Sequence, residues 1–200
     1  MDILIKKNFY NTIKIFPDTQ ILIDNFDEIK KELLNVLEVN DDYFYDYDKI
    51  IKYHKNTDWK IIPIFGFDKF SKISSKFPIL INLLKQIQNV KMVFFSKLGK
   101  NTILNQHKGW NGYSNNVLRT QLGIIANEQS GLWVEGTKYY LKEGDLITFD
   151  DSKLHFAFNN TEQNERLVLI IDIVRPEFIE KGKSNNVLID EELKHFLEII

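Results

Sequence analysis

The chain has 200 residues and a formal charge of −2 at neutral pH, which leaves no basic footprint for a nucleic-acid backbone. It contains no cysteine, so disulfides, thiolate metal sites and cysteine nucleophiles are excluded, and any metal must be held by His, Asp or Glu. No signal-peptide core opens the chain and its longest apolar run, Leu167 to Ile171, is far short of the roughly 20 residues that span a bilayer; a soluble, cytoplasmic protein is expected.

Taken in order, residues Met1 to Gln20 read as an arm with a short strand, followed by a helix from about Phe26 to Leu37 whose start Asp24-Asn25 is placed to cap. The segment Asp41 to His54 alternates aromatic and acidic residues and suits an edge strand or an irregular packed loop, with an aromatic substrate wall as the alternative to simple packing. Trp59 to Phe67 reads as a strand that Pro63 places at an edge or bends. Pro78 then opens a helix over Ile79 to Gln88.

From Val90 the period changes to that of strands: Val90 to Leu98, Thr102 to Gln106, Val117 to Ala126, Gly131 to Val134, Thr137 to Leu141, Leu146 to Phe149, His155 to Asn159 and Arg166 to Val174. Glu135-Gly136 is a hairpin signal, and Lys142 to Asp145 a turn. Many short strands joined in this way predict a sandwich or small barrel. A polar stretch after Pro176 leads to a closing helix capped by Asp190, with Leu193, Phe196, Leu197 and Ile200 on one face. The expected organisation is a single domain, 1–200: a helical and irregular part over 1–89, a mainly β core over 90–178, and a C-terminal helix within 179–200.

Strand alternation sorts the side chains. Arg119, Gln121 and Gly123 share one face of their strand, and Arg166, Val168, Ile170 and Asp172 share one face of the last. The opposite faces are apolar and suited to cover by helices. Arginines inside a small barrel are costly unless they meet a fixed anion, and with few acidic residues on the same faces that anion is expected to be a ligand.

His107 ends one strand and His155 begins another, while Arg166 follows on what reads as the next strand of a hairpin. Imidazole is a usual ligand for Fe(II), and a guanidinium fork binds carboxylate. The order His, His, Arg therefore fits an iron site that binds 2-oxoglutarate, against the alternative that these are structural histidines. His54 and His195 lie far from these motifs and read as surface residues; Lys181 to Lys183 reads as a solvated turn.

The segments LRTQLGI (118–124), EGD (143–145), TFDDSKLHFAFN (148–159) and RLVLIIDIVRPEF (166–178) closely resemble the aspartyl/asparaginyl β-hydroxylase family. The resemblance runs from about Trp59 to Phe178 and is dense from Phe95 onward. It implies a double-stranded β-helix (jelly-roll, cupin-like) core flanked by helices, Fe(II) and 2-oxoglutarate as cofactors, dioxygen as co-substrate, and hydroxylation of an Asp or Asn side chain in a protein or peptide. A free amino acid, a lipid or another small molecule remains open as substrate. A β-barrel binding module without turnover is the alternative from a different class.

Carried over residue by residue, His107 and His155 match the iron ligands and Arg166 the arginine that grips the distal carboxylate of 2-oxoglutarate. Ser96 matches a serine that assists there, and Arg119 an arginine near the cosubstrate's other end. Gln121 stands where the family often has histidine, which keeps the contact with a neutral donor. Most 2-oxoglutarate oxygenases have a carboxylate two residues after the first histidine; here that residue is Gly109, as in the resembling family. Two neutral ligands leave the metal nearly its full charge, so iron is expected to bind weakly until the dianionic cosubstrate is present. Asp150 and Asp151 form either a simple turn or an outer shell in which Asp151 orients a metal-bound water. Trp110 and Tyr113 are either a lid over the substrate or loop packing.

Overall fold

A computed structural model describes residues 3–40, 43–47, 57–187, 194 and 198–200. The strands are β1 (Leu4–Lys6), β2 (Phe9–Asn11), β3 (Tyr45–Asp46), β4 (Trp59–Gly66), β5 (Lys69–Phe70), β6 (Val90–Leu98), β7 (Thr102–Ile103), β8 (Val117–Ile125), β9 (Ser130–Val134), β10 (Thr137–Tyr140), β11 (Leu146–Phe149), β12 (His155–Asn159) and β13 (Arg166–Val174). The α-helices are α1 (Thr12–Ile15), α2 (Gln20–Asp24), α3 (Phe26–Val39), α4 (Pro78–Leu84) and α5 (Asn111–Ser114).

One sheet has the order β1-β2-β11-β8-β13-β6-β4-β3, with β5 on β4; the other has the order β10-β9-β12-β7. From β6 onward the chain changes sheet at every step except the β9–β10 hairpin. That alternation winds eight strands into a double-stranded β-helix. The hairpin turns at Glu135-Gly136, whose φ angles of 39° and 85° are of the positive sign that a tight two-residue turn requires.

Two apolar clusters follow from the strand faces. Leu118, Leu122 and Ile124 of β8 with Leu167, Leu169, Ile171 and Ile173 of β13 pack outward onto Ile29 and Leu33 of α3 and Leu80 and Leu83 of α4. The inner faces contribute Ile147, Val168 and Ile170, which meet Leu132, Val134 and Ala157 of the smaller sheet. The apolar-face expectation thus holds, and the arginine-bearing faces line the barrel. The helix pair is locked by a carboxylate: Glu32 of α3 accepts the orphan N–H groups of Ile79 and Leu80 at 2.7 and 3.0 Å, satisfying the start of α4.

Several expectations change. The N-terminal arm forms two strands, not one, and β2 pairs with β11, so it extends the larger sheet. Asn25 does not cap α3 through its side chain; its Nδ2 donates back to the Ile21 carbonyl at 2.7 Å, because α2 runs directly into α3. The helix after Pro78 ends at Leu84. Pro63 marks a register shift in β4, a bend as expected, while β3 covers β4 only at Ile61 and Lys60. β12 and β13 lie in different sheets, so Arg166 reaches the site across the barrel and not along a hairpin. Of Asp41 to His54, Tyr43 to Tyr47 are described; His54, His195 and most of the closing helix lie outside the described residues. No described helix is long and apolar enough to cross a membrane.

Candidate active site

His107 and His155 face each other across an isolated antiparallel bridge, each donating its backbone N–H to the other's carbonyl at 3.0 and 2.9 Å. Their rings lie 4.3 Å apart between centroids. Each Nδ1 is 2.8 Å from the carbonyl of the residue two positions earlier, Asn105 and Lys153 respectively. A carbonyl can only accept, so Nδ1 carries the proton in both rings, and the neutral form of each keeps its lone pair on Nε2. Burial lowers the pKa of His155 below its ordinary value of 6.5, which keeps that ring neutral at physiological pH, the form that ligates.

Asp151 Oδ1 lies 3.4 Å from Nε2 of His155. With Nε2 unprotonated, two acceptors face each other, an arrangement that calls for a cation or a bridging proton donor between them. Arg119 Nη1 approaches the same oxygen at 2.6 Å, too obliquely for a hydrogen bond. The other oxygen, Oδ2, accepts from Ser114 Oγ at 2.5 Å. Gly109 closes this cradle. A Cβ there would collide with Asp151 Oδ2 and Ser114 Oγ, so the carboxylate of residue 151 fills the volume that a side chain at 109 would need. The described residues hold no cluster of three or more His, Cys, Asp or Glu placed to bind a metal; the two imidazoles suit a divalent first-row ion whose shell is completed by non-protein ligands.

Arg119, expected near the cosubstrate, is gripped by carboxylates of the chain itself. Nε and Nη2 donate to Asp172 Oδ1 and Oδ2, both at 2.8 Å, because β8 and β13 bring Arg119 opposite Asp172. Burial would lower its pKa, but Asp151 and Asp172 hold it well above its ordinary value. For this arginine the balancing anion belongs to the protein. Tyr113 OH also donates to Asp172, at 3.1 Å, so Tyr113 and Ser114 of α5 each hold one of the carboxylates flanking Arg119. Trp110 is buried in the inter-sheet core. These contacts make the 107–116 loop packed structure.

Arg166 is different. It is 1% exposed, among the largest fully buried side chains, and its hydrogen bond runs from Nη2 to the neutral Gln121 Oε1 at 2.7 Å, while Nε has no partner among the described residues. Burial depresses its pKa from 12.5 to about 9, so it stays cationic at neutral pH at a desolvation cost on the order of 5 kcal/mol. Ser96, also buried, accepts from Trp59 Nε1 at 2.9 Å and sits on β6 beside β13, paired with Val168. Trp59 in turn packs against Tyr47, centroids 4.0 Å apart and planes tilted by 35°, and lies 6.3 Å from the His107 ring. The aromatic-acidic stretch thus packs one of its tyrosines against this wall.

Asp150 turns away from the histidines. It accepts from Ser152 N and Oγ at 3.0 and 2.6 Å and from Arg175 Nη1 and Nη2 at 2.9 and 2.6 Å. Burial raises its pKa, but Arg175 and Ser152 outweigh it and hold the carboxyl below the usual range. The FDDS stretch is therefore a turn at Asp150, with the next carboxylate beside the histidines. Asp172, Ser114 and Tyr113 were not singled out as anchors by the sequence; Asp172 shares the Arg166 face of β13, which was the available signal.

A model of the aspartyl/asparaginyl beta-hydroxylase family matches residues 23–176. Over 126 residues the chain is 31% identical to an ornithine lipid ester-linked acyl 2-hydroxylase from Rhizobium tropici, covering 60% of this chain and 43% of that protein; the match spans less than half of that relative's length. Among solved structures, a prolyl-4-hydroxylase from Pseudomonas putida aligns with a TM-score of 0.49 and 11% identity, covering 78% of this chain and 97% of that one. HygX from Streptomyces hygroscopicus, solved with nickel and 2-oxoglutarate, aligns at 0.45 and 9%, covering 77% and 82%.

Proposed function

The chain belongs to the aspartyl/asparaginyl β-hydroxylase family, and from that premise we propose that it is an Fe(II)- and 2-oxoglutarate-dependent hydroxylase. The observation that carries this reading is Arg166, a buried guanidinium with a neutral partner, on the wall of a barrel whose rim presents two imidazole lone pairs. A dicarboxylic acid supplies what each end lacks: a carboxylate for the arginine and further ligands for a metal.

In this reading His107 and His155 ligate iron through Nε2, and Arg166, with Gln121 and Ser96 beside it, binds the distal carboxylate of 2-oxoglutarate. Gln121 presents its carbonyl to Arg166 and has amide protons left for an anionic oxygen. Bound there, iron and 2-oxoglutarate supply oxidation of a substrate C–H bond by dioxygen, with succinate and carbon dioxide as co-products. The chain's own contribution is positional. Backbone carbonyls fix both imidazole tautomers, and the Arg119–Asp172 pair holds Asp151 Oδ1 beside His155, where the carboxylate would accept a hydrogen bond from a water in the shell of an ion held by the two histidines. Asp151→Ala is expected to reduce iron affinity or turnover about tenfold or more; unchanged values in both assays would remove that role.

The substrate is read first as an Asp or Asn side chain of a protein or peptide. An acyl chain is the second reading, favoured by the Rhizobium tropici relative, whose name specifies a lipid. Aerobic incubation with Fe(II) and 2-oxoglutarate should yield succinate, and His107→Ala should abolish it. Adding peptides or acyl lipids and searching for a mass gain of one oxygen identifies the substrate. Equal succinate from wild type and His107→Ala would overturn the enzyme reading and leave the binding module.

A further inference from the structure

The family match ends at residue 176, yet the chain beyond it returns to the histidines. Arg175, held by Asp150, donates to the carbonyl of Glu180 at 2.8 Å and so fixes where the returning segment starts. Gly182 N donates to Asn115 O at 3.0 Å, and Lys183 N to Ser152 Oγ at 3.2 Å. Ser184 and Asn115 exchange two hydrogen bonds: Ser184 N to Asn115 Oδ1 at 2.7 Å and Asn115 Nδ2 to Ser184 O at 3.1 Å. A Cβ at Gly182 would collide with Ser152 Oγ and the Asn115 Cα, so the segment lies flush against both loops.

Its last contacts reach the two residues that follow His107. Ser184 Oγ, in a buried residue, donates to the carbonyl of Gly109, and Asn186 Nδ2 donates to the carbonyl of Lys108 at 2.7 Å. Asn186 O accepts from Asn111 N at 2.7 Å, which completes a parallel bridge to Trp110. Lys108 and Gly109 connect His107 to α5 and to the close approach of Gly109 to Asp151. A polar segment is therefore bonded at every second residue, Gly182, Ser184 and Asn186, to the loop that carries the first histidine, and at Lys183 to the turn before the second.

We propose that residues 180–186 are a strap that sets the geometry of the two-histidine site, with Ser184 and Asn186 as positioning residues acting on His107 through the carbonyls of Gly109 and Lys108. The inference rests on the iron reading above and adds to it a part that lies outside the family match. The strap touches the histidine rim and not Arg166, so its loss affects metal affinity at saturating 2-oxoglutarate and leaves the acid-binding end intact.

The test is anaerobic Fe(II) titration of the full chain at saturating 2-oxoglutarate, followed by the metal-to-ligand band, for wild type, Ser184→Ala, Asn186→Ala and Ser184→Thr. Leu33→Ala, in the α3 core far from the site, controls for general destabilisation. The expected result is a roughly tenfold higher Fe(II) midpoint in both alanine variants, recovery in Ser184→Thr, and a wild-type midpoint in Leu33→Ala despite an equal or larger fall in Tm. Wild-type midpoints in both alanine variants, or losses that only track Tm as in Leu33→Ala, would overturn the strap. If wild type itself gives no band, the iron reading fails, and amide exchange of the metal-free protein decides the strap alone. Faster exchange at Asn111 and Ser184 in Asn186→Ala supports it; unchanged exchange sinks it.

Discussion

Arg166→Met is expected to lose 2-oxoglutarate binding by about a hundredfold or more while leaving the metal-free protein at least as heat-stable as wild type. The two effects have one cause. Removing one member of a buried charge pair costs about 2–5 kcal/mol of binding, which is on the order of a hundredfold. Among the described residues no carboxylate pairs with the guanidinium, and its hydrogen bond there is to Gln121. Replacing an uncompensated buried charge by an apolar side chain of similar length relieves the desolvation cost, and this offsets the unpaired Gln121 carbonyl. Thermal melts with and without 2-oxoglutarate check both: wild type gains Tm with the acid, and Arg166→Met does not. A variant that still gains Tm would mean that the acid binds elsewhere.

Gly109→Asp is expected to destroy the site although it would restore the carboxylate that most 2-oxoglutarate oxygenases carry two residues after the first histidine. The space is taken: a Cβ at 109 runs into Asp151 Oδ2 and Ser114 Oγ, and a second carboxylate would sit against the first in a buried pocket. Overpacking plus an uncompensated charge is expected to cost about 3 kcal/mol or more of stability and to abolish iron binding. Gly109→Asp combined with Asp151→Gly removes the collision, and iron binding should return in part. If Gly109→Asp alone binds iron more tightly than wild type, the cradle is looser than its contacts indicate.

The strand faces were the most legible part of the architecture. Alternation in 117–125 and 166–174 separated Leu118, Leu122 and Ile124 from Arg119 and Gln121, and the helices cover the faces that alternation marked as apolar. Periodicity reports burial directly, since one face of a strand is either covered or not. Partners across strands left no such trace. Asp172 reaches Arg119 because β8 and β13 are neighbours in a particular register, and Asp151 arrives from a turn between sheets. Sequence reading therefore gave the arginines one shared explanation, a ligand anion, where the structure separates them: Arg119 is balanced internally and Arg166 is not. The segment 180–186 was illegible for a related reason. Gly, Ser, Asn and Lys satisfy water as readily as they satisfy a neighbouring loop, so composition cannot distinguish a solvated turn from a strap.

The most direct test of the central claim is anaerobic Fe(II) binding measured with and without 2-oxoglutarate. Two neutral imidazole ligands and a barrel arginine whose partner among the described residues is the neutral Gln121 predict strong mutual dependence: weak iron binding alone, and tight binding with a visible charge-transfer band once the acid is present. Iron affinity that is equal with and without 2-oxoglutarate, and no band, would contradict the account.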